Sequence, residues 1–156
     1  DDVRVLLQVF QRLVDSGRAP GLLAYSEGEP IGWCALAPRT EYPRLVRSRV
    51  TQPLDDQPVW SITCLFVAKE FRNRGVSVRL LKAAVLYAKK QGANIVEGYP
   101  VEPTDRYVDT FAYVGLAAAF RKAAFEEVAR RTPTRPIMRR VVKSRQSVPR
   151  PSGSGP

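Results

Sequence analysis

Residues 59 to 97 constrain this chain most, because they spell a strand, a break, a helix and a second strand in close succession. Val59–Val67 (VWSITCLFV) is β-branched and apolar at both parities, as in a strand covered on both faces. Residues 68–75 interrupt it with Arg72, Asn73, Arg74 and Gly75. From Val76 to Lys90 apolar residues return at helical spacing, with Val76, Leu80, Ala84 and Ala88 beside Leu81 and Val85, and Gly92 ends the run. Asn94-Ile95-Val96-Glu97 is then a short strand.

Other segments read as pieces packed around this unit. Val3, Leu6, Leu7, Phe10, Leu13 and Val14 share one face of a helix expected over 3–14, with Gly17 as its stop. Residues 22–25 and 31–36 flank Glu27-Gly28-Glu29 as a β-hairpin. Residues 38–58 carry Pro38, Pro43, Pro53 and Pro58 and form a long connection, with room for a helical turn or two at 44–50. A second helix is expected at about 116–123, and 125–129 with 137–142 form a closing antiparallel pair around Thr132-Pro133-Thr134. The order predicts a mixed α/β (α+β) domain.

At 156 residues and 44% apolar the chain suits a single domain with a real core. The domain is expected to span 1–143, followed by a disordered basic Pro/Ser/Gly tail at 144–156. No apolar run reaches a membrane-spanning length, and Asp1-Asp2-Val3-Arg4 lacks a secretory layout, so a soluble cytoplasmic protein is expected. Histidine is absent and the only cysteines are Cys34 and Cys64, both in apolar surroundings, which excludes a zinc site, a Ser-His-Asp triad and a Cys-His pair. Both thiols read as inert and buried. Residues 130–156 hold eight of the 25 basic groups and none of the 15 acidic ones. The body of the domain is therefore nearly neutral, and the terminal charge reads as a solvated end.

The junction at 68–77 carries the clearest chemical signal. A buried strand runs into a loop with two arginines and a glycine, and a helix begins at once. Unpaired backbone N–H groups and the helix dipole at such a turn suit a phosphate or pyrophosphate. Neither a Walker A sequence nor a three-glycine dinucleotide fingerprint is present.

Arg72-Asn73-Arg74-Gly75-Val76-Ser77 resembles the Q/R-x-x-G-x-G/A signature of the GNAT superfamily of acetyl-CoA-dependent N-acetyltransferases, with Ser77 in place of the final Gly or Ala. Leu65-Phe66-Val67 before it, Leu80-Leu81 and Ala84 after it, and Ala119–Phe125 further on are similar to the flanking segments of that family, with Ala124 standing where Gly is usual. The resemblance covers about residues 18–142, and Glu97–Pro103 looks like a bacterial subgroup of unassigned substrate. It implies a mostly antiparallel central sheet flanked by helices. Since one helix alone is expected before the hairpin, it also implies that the N-terminal strand of the family fold is missing.

Chemically, the resemblance implies direct acetyl transfer from acetyl-CoA, as cosubstrate, to the amine of a small molecule or peptide. No metal, membrane or nucleic acid takes part, and a homodimer stays open. The implied cofactor-binding residues are Phe66, Val67, Arg72, Asn73, Arg74, Gly75, Val76, Ser77 and Phe120. Ser61 stands where histone-type members carry a glutamate base, and Phe120 where many members carry a tyrosine acid, so neither role carries over. Glu97 and Tyr99 are the catalytic candidates, with Glu102, Asp105 and Tyr113 nearby. An acid directly after Ile95-Val96 needs a buried partner or a wet cavity. Two alternatives remain at this level: an acetyl-CoA binder without turnover, and a basic module that binds nucleic acid through its tail.

Overall fold

The computed structural model describes residues 3–6, 21–104 and 114–142. Its strands are β1 (Val3–Leu6), β2 (Gly21–Ser26), β3 (Glu29–Pro38), β4 (Trp60–Val67), β5 (Ile95–Gly98), β6 (Glu126–Thr132) and β7 (Arg135–Val141). They form one seven-stranded sheet in the order β1-β2-β3-β4-β5-β7-β6. Every neighbouring pair is antiparallel except β4 and β5, which the crossover helix makes parallel. The helices are α1 (Pro43–Arg47), α2 (Val76–Lys90) and α3 (Ala117–Lys122). The strand-helix-strand centre, the hairpin, the helical turn inside the long connection and the closing pair all lie where the sequence pattern puts them.

The beginning of the chain differs from expectation. Val3–Leu6 is an edge strand and not the start of a helix, and it pairs antiparallel with β2 from Val3 opposite Ser26 to Leu6 opposite Leu23. V-R-V-L satisfies strand alternation as well as helical spacing, and the open edge of β2 decides between them, since β propensity is realised through cross-strand neighbours. The first strand of the sheet is therefore present. The rest of the expected helix, residues 7–14, lies outside the described residues, as does the tail from 144.

The core lies between the sheet and α2. Val76, Leu80, Leu81, Ala84, Val85 and Ala88 of α2 are buried, and they join Leu22, Ile31, Cys34, Leu36, Ile62, Leu65 and Val96 of the strands with Phe120 of α3 in one cluster. Phe120 packs edge-on against Phe125 with ring centroids 5.0 Å apart. Its ring leaves no room for a side chain at residue 98, because a Cβ on Gly98 would lie 2.2 Å from Cε1 of Phe120. Trp60 meets Tyr87 of α2 edge-on at 6.1 Å, a packing role.

Two irregularities open the sheet at its middle. The β3–β4 register passes from Ala35 opposite Cys64 to Leu36 opposite Ile62, so Thr63 is an extra residue in β4. β4 and β5 pair only through Trp60–Val96, Ser61–Glu97 and Ile62–Gly98. Beyond Ile62, β4 continues to Val67 against β3 alone, while the chain leaving β5 makes a parallel bridge from Val101 to Leu116. A notch results, with the edge of Thr63–Val67, which no described strand pairs on this side, as one wall.

Candidate functional site

One end of the notch leads to the turn before α2. Lys69–Phe71 is a 3-10 turn, after which Asn73 and Gly75 take left-handed conformations with φ of 58° and 76°. A Cβ on Gly75 would meet nothing within 4 Å, so the space above its backbone is open. Arg72, Asn73, Arg74 and Gly75 are exposed and Ser77 is half-buried, while the Val76 side chain packs into the core. The first helical hydrogen bond runs from Arg79 N to Gly75 O at 3.1 Å, leaving the N–H groups of Val76, Ser77 and Val78 without helical acceptors. The Arg74 guanidinium sits 5.5 Å from the Phe71 ring centroid, and Arg72 Nε donates to Val67 O at 3.1 Å. Phe66 is 48% exposed beside the notch. These residues form an exposed basic turn with open backbone N–H groups, continuous with the edge of β4.

The closed end of the notch holds a buried polar cluster. In parallel register Glu97 lies beside Ser61, and its side chain is 1% exposed. Glu97 Oε1 accepts from Arg39 Nη1 at 2.9 Å and from the Tyr99 hydroxyl at 2.7 Å, and Oε2 accepts from Arg139 Nε at 2.6 Å. The Tyr99 hydroxyl also lies 2.8 Å from Ser61 Oγ and 2.7 Å from Arg39 Nη1. Behind this group Arg139 pairs with Asp55 at 2.6 Å, and Arg39 Nη2 donates to Thr51 O. Burial, and next the Glu97 charge, push the Tyr99 phenol above its ordinary range, so it keeps its proton and donates. The partner that a buried Glu97 requires is thus supplied three times over, by Arg39 from the long connection, Arg139 from β7 and Tyr99 just past the end of β5.

A family model described as the acetyltransferase (GNAT) family matches residues 4–107. The chain belongs to the GNAT acetyltransferase family. No curated protein sequence matches it. Among solved structures, a GNAT-family acetyltransferase from Streptococcus agalactiae is 8% identical with a TM-score of 0.57, covering 91% of this chain and 96% of that one. The ribosomal-protein-S18-alanine N-acetyltransferase from Escherichia coli is 12% identical with a TM-score of 0.54, covering 87% and 79%. The NatC complex bound to Gag peptide and CoA is 11% identical with a TM-score of 0.54, covering 85% and 77%. At these identities the likeness concerns the fold. The GNAT domain makes acyl transfer the reaction class, and no helix among the described residues is long and apolar enough to cross a membrane.

Within this GNAT fold the residues singled out from the sequence divide clearly. Phe66, Val67, Arg72, Asn73, Arg74, Gly75, Val76 and Ser77 are continuous along the notch and the turn, although Val76 offers only its backbone. Phe120, expected at the cofactor, is 0% exposed and fills the core under Gly98 and Gly115. Glu97 and Tyr99 come together at 2.7 Å. Glu102 belongs elsewhere: it takes two hydrogen bonds from Arg121 at 2.9 and 2.5 Å and one from Arg130 at 2.9 Å, and these cations hold its carboxyl down at about 2. Asp105 and Tyr113 lie outside the described residues. Cys34 is fully buried and Cys64 half-buried, and burial pushes both thiols up, as inert cysteines require.

Arg39 and Arg139 of the buried cluster, and Asp55 at its exposed end, escaped the sequence reading. Each is far from Glu97 in the chain, and only the register that places Glu97 opposite Arg139, with the return of the long connection over β5, brings them in. The one sequence signal was indirect, a carboxylate in an apolar strand that had to find a cation.

Proposed function

We propose that this GNAT protein is an acetyl-CoA-dependent N-acetyltransferase that passes the acetyl group directly to the amine of a small molecule or peptide. The observation that carries the reading is the register of Ser61 with Glu97. Where the family's histone-type members place a base on β4, this chain has Ser61, and the carboxylate reaches the same level of the notch from the adjacent strand. When bound, acetyl-CoA supplies an acetyl group activated as a thioester.

The tasks of the chain follow from its own groups. The N–H groups at the start of α2, with Gly75 and the charges of Arg72 and Arg74, would hold the pyrophosphate. The edge of Phe66 and Val67 would pair with the pantetheine arm once Arg72 releases the Val67 carbonyl. As the amine nitrogen bonds to the carbonyl carbon and the carbon–sulfur bond breaks, the amine proton would pass to Glu97 through ordered water, and the thiolate would take a proton from solvent. Tyr99 orients the amine, because its phenol holds its proton tightly.

One observation favours a second reading, an acetyl-CoA binder without turnover: all the Glu97 contacts are internal and the side chain is 1% exposed. The nucleic-acid module rests on the tail from 144, which lies outside the described residues; in β6 and β7, Arg130 and Arg139 are ion-paired and Arg131 and Arg140 are tied to carbonyls. The deciding experiment combines a melting curve with a CoA-release assay on amines, amino acids and peptides. Acetyl-CoA and CoA should raise Tm, Gly75→Ala should keep that shift after a loss of about 1 kcal/mol for its left-handed φ, and Gly75→Glu should abolish it. Equal shifts in wild type and Gly75→Glu would place the cofactor elsewhere. A shift without CoA release for any acceptor would establish the binder.

A further inference from the structure

We propose that the exposed face of α1 and the residues just after it dock an acidic segment of a polypeptide acceptor. This rests on the N-acetyltransferase reading above and narrows its substrate class. Arg44, Arg47 and Arg49 are exposed, and among the described residues none of them has an ion pair, hydrogen bond or ring contact. They contrast with Arg39, Arg121, Arg130 and Arg139, which meet carboxylates. Glu41 is the only acid between residues 39 and 54, so the three guanidiniums within six residues outnumber the local acid and repel one another.

The patch is held in fixed relation to the reaction site. Thr51 Oγ1 donates to Leu45 O in α1 at 3.0 Å, and the carbonyl of the same Thr51 accepts from Arg39 Nη2. Arg39 in turn holds Tyr99 at 2.7 Å and Glu97 at 2.9 Å. From the far side Arg131 Nη1 and Nη2 donate to Gln52 O and Pro53 O at 2.5 and 3.2 Å. Two residues, Arg39 and Thr51, therefore connect α1 to the tyrosine at the closed end of the notch.

Size and composition select the occupant. Arg44 to Arg49 covers on the order of 8 Å of chain, and same-side residues of an extended strand repeat about every 7 Å. Two or three carboxylates along an extended peptide match that spacing, whereas one small anion would leave charge uncompensated. Val46, 58% exposed between the arginines, adds an apolar contact. Tyr42 is the only aromatic residue in 39–58 and is half-buried, so single-stranded nucleic acid finds no exposed base-stacking platform there.

The test compares two peptides that differ only in Asp and Glu against Asn and Gln after the N-terminal amine, on wild type and on the triple variant R44E/R47E/R49E. With wild type, kcat/KM should favour the acidic peptide, chiefly through KM, and rising salt should erase the preference. The triple variant should lose the preference by about tenfold, the size expected from three rim charges, and a peptide with Lys at those positions should recover the loss. An unchanged ratio in the variant overturns the proposal. If no peptide is acetylated, the N-acetyltransferase reading fails separately, and anisotropy of the labelled acidic peptide still decides the docking: loss of binding in the variant supports it, and equal binding refutes it. Single-stranded oligonucleotide binding lost in the variant, with no peptide binding by wild type, also refutes it.

Discussion

Replacing Glu97 by glutamine tests the buried cluster as both a lock and a proton acceptor. The amide keeps the shape of the carboxylate but removes its charge and turns one acceptor atom into a donor facing a guanidinium. The side chain is 1% exposed, and its partners Arg39 and Arg139 are 11% and 10% exposed, so the pairs are broken inside the protein. Removing one partner of such a pair costs about 3–5 kcal/mol. Arg139 keeps Asp55, and Arg39 keeps Thr51 O and Tyr99, which sets the loss near the lower end, about 3 kcal/mol. For a domain of this size that is a fall in Tm of about 6–12 °C. Acetyl-CoA affinity should stay near wild type, since the basic turn before α2 lies at the other end of the notch. Turnover, assayed well below the lowered Tm, should fall about a hundredfold. Asp55→Asn is the control, because it cuts the same line of charges from its exposed end and should cost less stability while keeping turnover. A Glu97→Gln protein that melts within about 2 °C of wild type refutes the lock, and one with unchanged turnover removes Glu97 from the chemistry.

Gly98→Ala should lower Tm sharply, because its Cβ would lie 2.2 Å from the Phe120 ring; overpacking of this kind costs about 1–3 kcal/mol. Gly98→Ala combined with Phe120→Leu should recover part of the loss, and strict additivity in that double-mutant cycle would contradict the packing assigned to Phe120. Asp55 and Glu102 are both held down at about 2 by arginine partners, Arg139 for the first, and Arg121 then Arg130 for the second. Their depressed values stabilise the folded state fully above the ordinary carboxylate range near about 4, and that contribution is lost as pH falls through about 2. Urea denaturation between pH 5 and 2 should therefore show less acid sensitivity in Asp55→Asn and Glu102→Gln than in wild type, and parallel profiles would count against these ion pairs.

What the sequence determined by itself was local. The apolar run at 59–67, the helical spacing of 76–90 with its glycine stop, the hairpin and the strand-to-helix turn with Gly75 each follow from neighbouring residues, whose periodicity and backbone preferences act over a turn or two. Contacts across the sheet were not legible in it. Val3–Leu6 suits a helix or a strand in isolation, and only the edge of β2 settles it. Phe120 sits at a position that the family pattern links to chemistry, yet the space under Gly98 takes it into the core. Glu97 announced that it needed a partner without naming one. Arg39 and Arg139, 58 and 42 residues away, reach it because β7 pairs beside β5 and the long connection returns across the same face. The folded chain selects which distant charges meet, because desolvating Glu97 is tolerable only where the topology supplies cations at hydrogen-bond distance.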